Sequence, residues 1–400
     1  MQFPDRFADL AEYPFPRLRA LLTGQTPGGP EFLMTIGEPK HALPDFVGPV
    51  VAEHAEGFRG YPPNEGIPEL REAIAGWLER RYGVSVSPET QVITLNGTRE
   101  GLFNAALAVS PENKNSRRPA IIIPNPYYPC YGAAALASGA EPVPVSAMPE
   151  TGFLPDFETL DREILDRTTL AYVCSPSNPQ GGVADEAYWR RLFALAEKHD
   201  FMVLADECYA EIYRDTPPMG ALEAASVCGF DPERLLVFHS LSKRSNAAGL
   251  RSGFVAGGEK TIKEFKRVRS YFCAPQPKPL QYAAAALWND EAHVEENRRL
   301  YREKFEIADR VFAGFEGYQP PQAGFFLWLP VWDSEVATLE IYRKTGIQVL
   351  PGAYLSRQSW DGSDPGEGFI RVALVSGADE VEQGLEKIRS VLDEGINEQG

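Results

Sequence analysis

Short apolar runs rich in β-branched residues recur through the first 260 positions of the chain. They lie at 92–95, 121–123, 170–174, 202–205, 235–238 and 254–256. Longer stretches with helical spacing separate them. One covers 68–81, with Leu70, Ile74 and Leu78 on one face and Gly83 as a stop. Another covers 188–199. Continuous apolar strands alternating with helices predict a mostly parallel sheet covered on its faces. After about residue 287 the pattern changes. A long charged helix pattern at 290–312 precedes apolar runs at 324–329, 347–350 and 369–374, and a last helix near 380–392. This predicts a smaller α+β domain against which the N-terminal segment packs. The expected division is 46–286 for the large domain, and 1–45 with 287–400 for the small one.

The segments just past the strands are more informative than the strands themselves. The run at 92–95 leads into Asn96-Gly97-Thr98-Arg99-Glu100, and that at 121–123 into Pro124-Asn125-Pro126-Tyr127-Tyr128. The run at 170–174 leads into Ser175-Pro176-Ser177-Asn178-Pro179, and that at 202–205 into Asp206-Glu207-Cys208-Tyr209. The run at 235–238 leads into His239-Ser240-Leu241-Ser242-Lys243. Ligands of open α/β sheets bind at the carboxyl ends of the strands. Five polar motifs in that position predict one shared crevice.

Bulk composition narrows the partners. A chain of 400 residues is long for one core, which agrees with two domains. A net charge of −17 argues against nucleic acid and against anionic membrane surfaces. The five cysteines are scattered without a C-x-x-C pair, so buried thiols in a reducing compartment are expected. The five histidines do not cluster with them, and no metal site is expected. Met1-Gln2-Phe3-Pro4-Asp5-Arg6 lacks the basic start and apolar core of a signal peptide, and no apolar run reaches the ~18 residues of a membrane span. A cytoplasmic protein is the expectation.

The candidate chemistry centres on the stretch from Ser240 to Phe254. Lys243 sits there among hydroxyls and glycines, with Arg251 eight residues on. A lysine condenses with an aldehyde only when deprotonated, so its ordinary pKa of about 10.4 must fall through burial or nearby positive charge. Arg244 and Arg251 are candidates for that charge. Ser240, Ser242 and Arg251 suit a phosphate. An imine-forming lysine beside a phosphate site suggests pyridoxal phosphate. A Ser-x-Ser-Lys-Arg string is also often a solvated turn, and the motif by itself does not decide between the two.

In order and spacing these motifs resemble the class I and II, fold type I pyridoxal-phosphate aminotransferases. The resemblance runs from Thr35-Ile36-Gly37-Glu38-Pro39 to Arg371 and includes Tyr61-Pro62-Pro63-Asn64-Glu65-Gly66-Ile67-Pro68. In detail it is most similar to the N-succinyldiaminopimelate branch of lysine biosynthesis. The strings that carry this include Tyr13-Pro14-Phe15, Glu38-Pro39-Lys40-His41, Trp288-Asn289-Asp290-Glu291-Ala292-His293-Val294 and Tyr301-Arg302-Glu303-Lys304-Phe305. Ala248 stands where proline is expected, and Gln180-Gly181-Gly182 replaces the usual Thr-Gly. Neither departure removes a chemical group.

The resemblance implies a fold type I transferase with a seven-stranded sheet. It implies that Lys243 binds the cofactor aldehyde and moves the proton, that Asp206 holds the pyridine nitrogen, and that Tyr209 and Asn178 bond the cofactor O3′. Tyr128 would stack on the ring. Gly97, Thr98, Arg99, Ser240, Ser242 and Arg251 would cup the phosphate. Tyr61 would reach it from a neighbouring subunit, which implies a homodimer with shared sites. Arg371 would clamp the substrate α-carboxylate, beside Gly37 and Asn178. Each has a plainer reading as a cap, a turn or packing. The partners implied are an amino donor and a 2-oxo acid, with 2-oxoglutarate and N-succinyl-diaminopimelate foremost. An aminotransferase for alanine, aspartate or aromatic amino acids is the nearest alternative. A lyase on the same fold and a ligand-sensing regulator come after it. Lys278, Arg17 and Arg19 are candidates for a distal substrate carboxylate.

Overall fold

Six of the apolar runs become strands of one seven-stranded sheet. Its order is Val92–Leu95, Gly253–Gly257, Leu235–Ser240, Met202–Asp206, Thr168–Cys174, Ala120–Asn125, Glu141–Ser146. The computed structural model describes residues 5–8, 10 and 12–399, so the reading of Met1 to Pro4 lies outside the described residues. Gly253–Gly257 runs antiparallel to both of its neighbours, and the other strand pairs are parallel. The central strands are buried along their whole length, which is why they read as continuous apolar runs. Apolar cores lie on both faces, one around Trp77, Trp189 and Trp288 and one around Tyr131, Tyr172 and Phe265.

The seventh strand, Glu141–Ser146, escapes the sequence reading. Pro142 and Pro144 interrupt its pattern. They are tolerated because the strand lies at the edge, paired only with Ala120–Asn125, where an amide facing outward is not needed. Val143 and Val145 still point into the core.

The helices begin and end where the chain supplies caps. Pro68–Tyr82 starts on a proline and stops at Gly83, whose φ of +65° only glycine adopts freely. Glu186–His199 starts two residues ahead of the expected position, because the Asp185 carboxylate accepts from Tyr188 N at 2.8 Å. A helix at Lys278–Asn289, unassigned from sequence, precedes the long Ala292–Val311 helix. The last helix covers Ala378–Gln399.

Beyond the large sheet, Leu350–Pro351, Phe369–Ala373 and Phe326–Pro330 form an antiparallel sheet. Phe32–Leu33 pairs with Ile347–Gln348, and Met34 enters the same core as Phe325 and Ile370. The five cysteines are all free. Among the described residues, no helix is long and apolar enough to cross a membrane, and no group of three or more His, Cys, Asp or Glu could hold a metal ion.

Candidate active site

The carboxyl ends of five strands open on one cavity of about 280 Å³. Thr98 and Arg99 follow the first strand into it, Tyr127 and Tyr128 the next, then Cys174 and Asn178, then Asp206, Cys208 and Tyr209, and last Ser240, Ser242 and Lys243. Arg371, from the small antiparallel sheet, closes the opposite side. The crevice expected from the strand-end motifs is therefore present.

Lys243 lies on a single helical turn, Leu241–Arg244, started by Ser240, whose Oγ accepts from Ser242 N at 3.1 Å. Its Nζ donates to the Gly37 carbonyl and sits 5.1 Å from the centre of the Phe325 ring. Burial brings the amine down from 10.5 to about 8. Arg371 and Arg251 push the same way, against Cys208 and Glu38. Arg244 is not among these influences. Its guanidinium points away from the cavity, onto Glu291 Oε1 at 2.7 Å and the Leu287 carbonyl at 2.7 Å. That corrects the sequence-based candidate. The two side chains are adjacent in sequence but leave the turn in different directions.

Asp206 ends its strand 6% exposed. Tyr131 donates to Oδ2 at 2.6 Å and Cys208 N donates to Oδ1 at 3.2 Å. Burial pushes the carboxyl pKa up, while these two bonds and His239 pull it down. An ionised carboxylate held mainly by neutral donors favours a cation brought to its open side. Tyr131 was not anticipated. It stacks on Tyr172 with centroids 4.6 Å apart, and nothing in its local string separates it from an ordinary core tyrosine.

Gly97, with φ +86°, introduces the Thr98–Val109 helix. A side chain there would strike the Arg251 guanidinium, so the glycine lets arginine and helix N-terminus face the same space. Arg251 donates to the Ala248 carbonyl at 2.9 Å. Ser240 and Ser242 place their hydroxyl oxygens 3.0 Å apart on the same wall. Free amides, two hydroxyls and one guanidinium suit an oxyanion of several oxygens.

Arg371 donates from Nη1 to Asn178 Oδ1 at 3.2 Å and from Nη2 to the Thr35 carbonyl at 2.8 Å. Its Nε is buried with no acceptor among the described residues. The guanidinium lies 4.2 Å over the Phe326 ring, and burial lowers its pKa to about 10. Such a group calls for a carboxylate. Any side chain at Gly37 would run into Phe326, so that position needs glycine. Tyr209 is buried against Phe325 and Phe326. Arg99 donates from Nε to the Tyr128 hydroxyl.

Tyr61 is fully exposed and does not line the cavity of its own chain. Arg17 lies over the Tyr354 ring at 3.8 Å, and neither it nor Arg19 nor Lys278 lines the cavity. Lining that was not assigned a role comes from Tyr13, Phe15, Ile36, Leu350 and Leu355.

A family model described as aminotransferase class I and II matches residues 23–388. The LL-diaminopimelate aminotransferase of Moorella thermoacetica is 30% identical over 404 residues, covering 98% of this chain and 99% of its own. A crystal structure of an aminotransferase from Neisseria meningitidis is 38% identical, with a TM-score of 0.91, over 97% of this chain and 99% of its own. A probable N-succinyldiaminopimelate aminotransferase from Thermus thermophilus is 25% identical, with a TM-score of 0.82, over 94% and 100%.

Proposed function

The chain belongs to the class I and II aminotransferases, pyridoxal-phosphate enzymes of fold type I acting on amino and 2-oxo acids, and on that premise we propose that its donor carries a second, distal carboxylate. N-succinyl-diaminopimelate is the donor proposed, with 2-oxoglutarate as acceptor. The observation that carries the transamination site is the meeting of three groups in one cavity. They are an amine poised near neutrality, a buried carboxylate held by neutral donors, and a buried guanidinium with an unanswered N–H.

These residues fit the cofactor. Bound pyridoxal phosphate supplies an aldehyde that takes up amines and a cationic ring that accepts electrons released at the substrate α-carbon. In this reading Lys243 Nζ would be the amine that meets the aldehyde and the base for the α-proton. Asp206 would keep the proton on the ring nitrogen. Tyr209, Asn178 and Tyr128 would hold the ring. Ser240, Ser242, Arg251 and the amides from Gly97 to Arg99 would bind the phosphate. Arg371 would take the α-carboxylate.

Capture of added pyridoxal phosphate by cofactor-free protein should follow the free amine. Its rate is expected to rise about tenfold per pH unit below about 8 and to level off above. The sign follows from the lowered pKa, since the amine is free only above it. A rate still climbing at the ordinary lysine pKa would remove the claim that burial prepares Lys243.

The substrate proposal is supported by the charges of the cavity. The Moorella relative is named for LL-diaminopimelate and the Thermus neighbour for probable N-succinyldiaminopimelate. Both compounds have an amino-acid head and a distal carboxylate. They differ at the second amine, which is a free ammonium in one and an amide bearing another carboxylate in the other. Among the described residues lining the cavity, Asp206 is the only acid, and it is given to the ring nitrogen; Arg99, whose guanidinium is not given to the phosphate, adds a cation. A free ammonium finds no counter-ion there, whereas an added carboxylate does.

A panel of donors that includes LL-diaminopimelate, tested against 2-oxoglutarate, decides it. We expect kcat/KM for N-succinyl-LL-diaminopimelate to exceed that for alanine, aspartate or phenylalanine by about 30-fold or more, the equivalent of about 2 kcal/mol from one desolvated charge pair. Equal or better turnover of aspartate or alanine would end the substrate proposal and leave the family assignment untouched.

The proposed working unit is a cytoplasmic homodimer. Support comes from Tyr61, which is fully exposed and does not line the cavity of its own chain, and from exposed Phe58, Tyr271 and Phe272.

A further inference from the structure

Behind Lys243 runs a chain of hydrogen bonds that the roles above leave unused. Lys304 Nζ lies 2.7 Å from His41 Nε2. His41 Nδ1 lies 2.7 Å from Asn297 Oδ1. Asn297 Nδ2 donates to the Lys243 carbonyl at 3.2 Å and to the Arg244 carbonyl at 3.4 Å. One set of proton positions satisfies every link. An ammonium has no acceptor, so Lys304 donates to Nε2. Nδ1 then carries the imidazole proton and donates to Asn297 Oδ1, which leaves the amide nitrogen to donate onward. The His41 tautomer is thereby fixed by its neighbours.

The geometry gives this chain a mechanical meaning. Asn297, Tyr301 and Lys304 share one face of the Ala292–Val311 helix, and the His41 ring packs 4.6 Å from that of Tyr301. His41 ends the segment that carries Gly37, whose carbonyl accepts from Lys243 Nζ. The front of that segment is fixed separately, by Arg371 to the Thr35 carbonyl at 2.8 Å and Ala373 N to the Met34 carbonyl at 2.7 Å. Asn297 grips both parts through its side chain, the backbone that bears the amine and the end of the segment that bears its acceptor, and Asn246 Nδ2 adds a longer bond to the Ala42 carbonyl at 3.4 Å.

The helix commits a buried cation to this grip. Lys304 is 2% exposed and forms no ion pair among the described residues, its ammonium lying 4.9 Å from the Tyr301 ring centre. Burial brings it to about 8, and it lies within the field of Glu303, Glu380 and Lys40. A salt link to a surface acid would satisfy it at less cost. The imidazole acceptor therefore points to a requirement at His41.

We propose that His41, through Asn297, is a positioning residue that holds the Gly37 carbonyl against the Lys243 amine. The proposal rests on the reading of Lys243 as the amine that takes the cofactor. It makes Gly37 a tuned acceptor rather than a passive turn, and it ties the amine's readiness to a helix outside the cavity.

Two near-isosteric variants separate the links. In His41→Asn the side-chain amide falls where Nδ1 was, so it can still donate to Asn297 but cannot reach Lys304. In His41→Gln the amide falls where Nε2 was, so it reaches Lys304 and loses Asn297. The full-length protein, freed of cofactor, is treated with an amine reagent over a pH series, and labelling of the Lys243 peptide is followed by mass spectrometry. Each variant is also mixed with pyridoxal phosphate above the labelling midpoint, and return of visible absorbance is timed. Melting temperatures are recorded alongside. The groups facing the amine, namely Tyr209, Cys208, Arg371, Arg251 and Glu38, are unaltered in every variant.

His41→Gln should lower the labelling midpoint by at least about half a pH unit, because the ammonium loses its acceptor. It should also slow return of absorbance by about fivefold or more, because the free amine is no longer held in place. His41→Asn should stay near the parent in both. A His41→Gln protein indistinguishable from the parent in both Lys243 readouts overturns the proposal. So do variants that melt earlier in parallel while the Lys243 midpoint stays fixed, since a purely structural tie would do that. Lys243→Ala serves as control. If it regains the visible band, the premise about Lys243 fails and the proposal falls with it; if it does not, an unchanged midpoint removes the proposal alone.

Discussion

Lys243→Ala is expected to lower transamination by about 10⁴-fold or more, while leaving the fold as stable as before. Two jobs end at one atom. The amine that meets the cofactor aldehyde is gone, and so is the base that carries the α-proton, a step for which a placed base contributes about 10² to 10⁴ by itself. The fold should not suffer, because Nζ has one hydrogen bond, to Gly37, and its charge is disfavoured by burial. Removing a buried amine in that condition costs little and can be neutral. Borohydride reduction of the parent protein should leave the cofactor on the peptide that contains Lys243. Melting should stay within a few degrees of the parent. Reduction found at another lysine, such as the buried Lys304, would transfer both roles there. A loss of activity accompanied by a large fall in melting temperature would show that the effect was on folding.

How much of this was legible in the chain differs by element. Strands buried on both faces announce themselves as unbroken apolar runs, which is why six of the seven were readable. Glu141–Ser146 was not, since its prolines belong to the edge of a sheet, and edges are defined only once neighbours are known. The two-residue strands Phe32–Leu33 and Ile347–Gln348 exist through each other and have no pattern of their own. In the site, local motifs at strand ends were readable because one strand end carries several polar residues together. Groups brought in by tertiary closure carried no such local signal, and Arg371 and Gly37 were named only through the family resemblance. Tyr131 reaches Asp206 from a helix three residues after Tyr128, and Phe326 underlies Arg371 from another strand. Arg244 shows the reverse error. Adjacency to Lys243 in sequence suggested adjacency in space, but on a helical turn neighbouring side chains diverge by about 100°. The distal substrate pocket was the least legible part. Lys278, Arg17 and Arg19 were cations without a motif, and the guanidinium in the cavity that is given neither to the phosphate nor to the α-carboxylate is that of Arg99.

Asp206→Asn should separate the chemistry of the site from its stability, with effects of opposite sign. The amide has the shape of the carboxylate. Its oxygen can accept from Cys208 N, and the Tyr131 hydroxyl can turn from donor to acceptor to meet the new N–H. The cofactor should therefore still bind. What the amide lacks is the charge that keeps a proton on the pyridine nitrogen, and without it the ring accepts the electrons of the α-carbon poorly. Removing one well-placed charge partner of a transition state costs about 10² to 10³ in rate. We expect the single-turnover half-reaction with an amino donor to slow by about that factor, and substitution of deuterium at the α-carbon to slow it further. Stability should move the other way in cofactor-free protein. Burial raises the Asp206 pKa in the fold, so the unfolded chain gives up this proton at lower pH than the folded one. Above the folded pKa the ionised carboxylate then weighs against the fold. As pH falls below the unfolded value, that penalty disappears. The asparagine protein should accordingly melt higher than the parent near pH 7 and lose that advantage in acid. A half-reaction within a few-fold of the parent would remove Asp206 from the chemistry. A variant that is both slower and less stable at neutral pH would mean that the Tyr131 and Cys208 bonds, not the charge, were what the substitution destroyed.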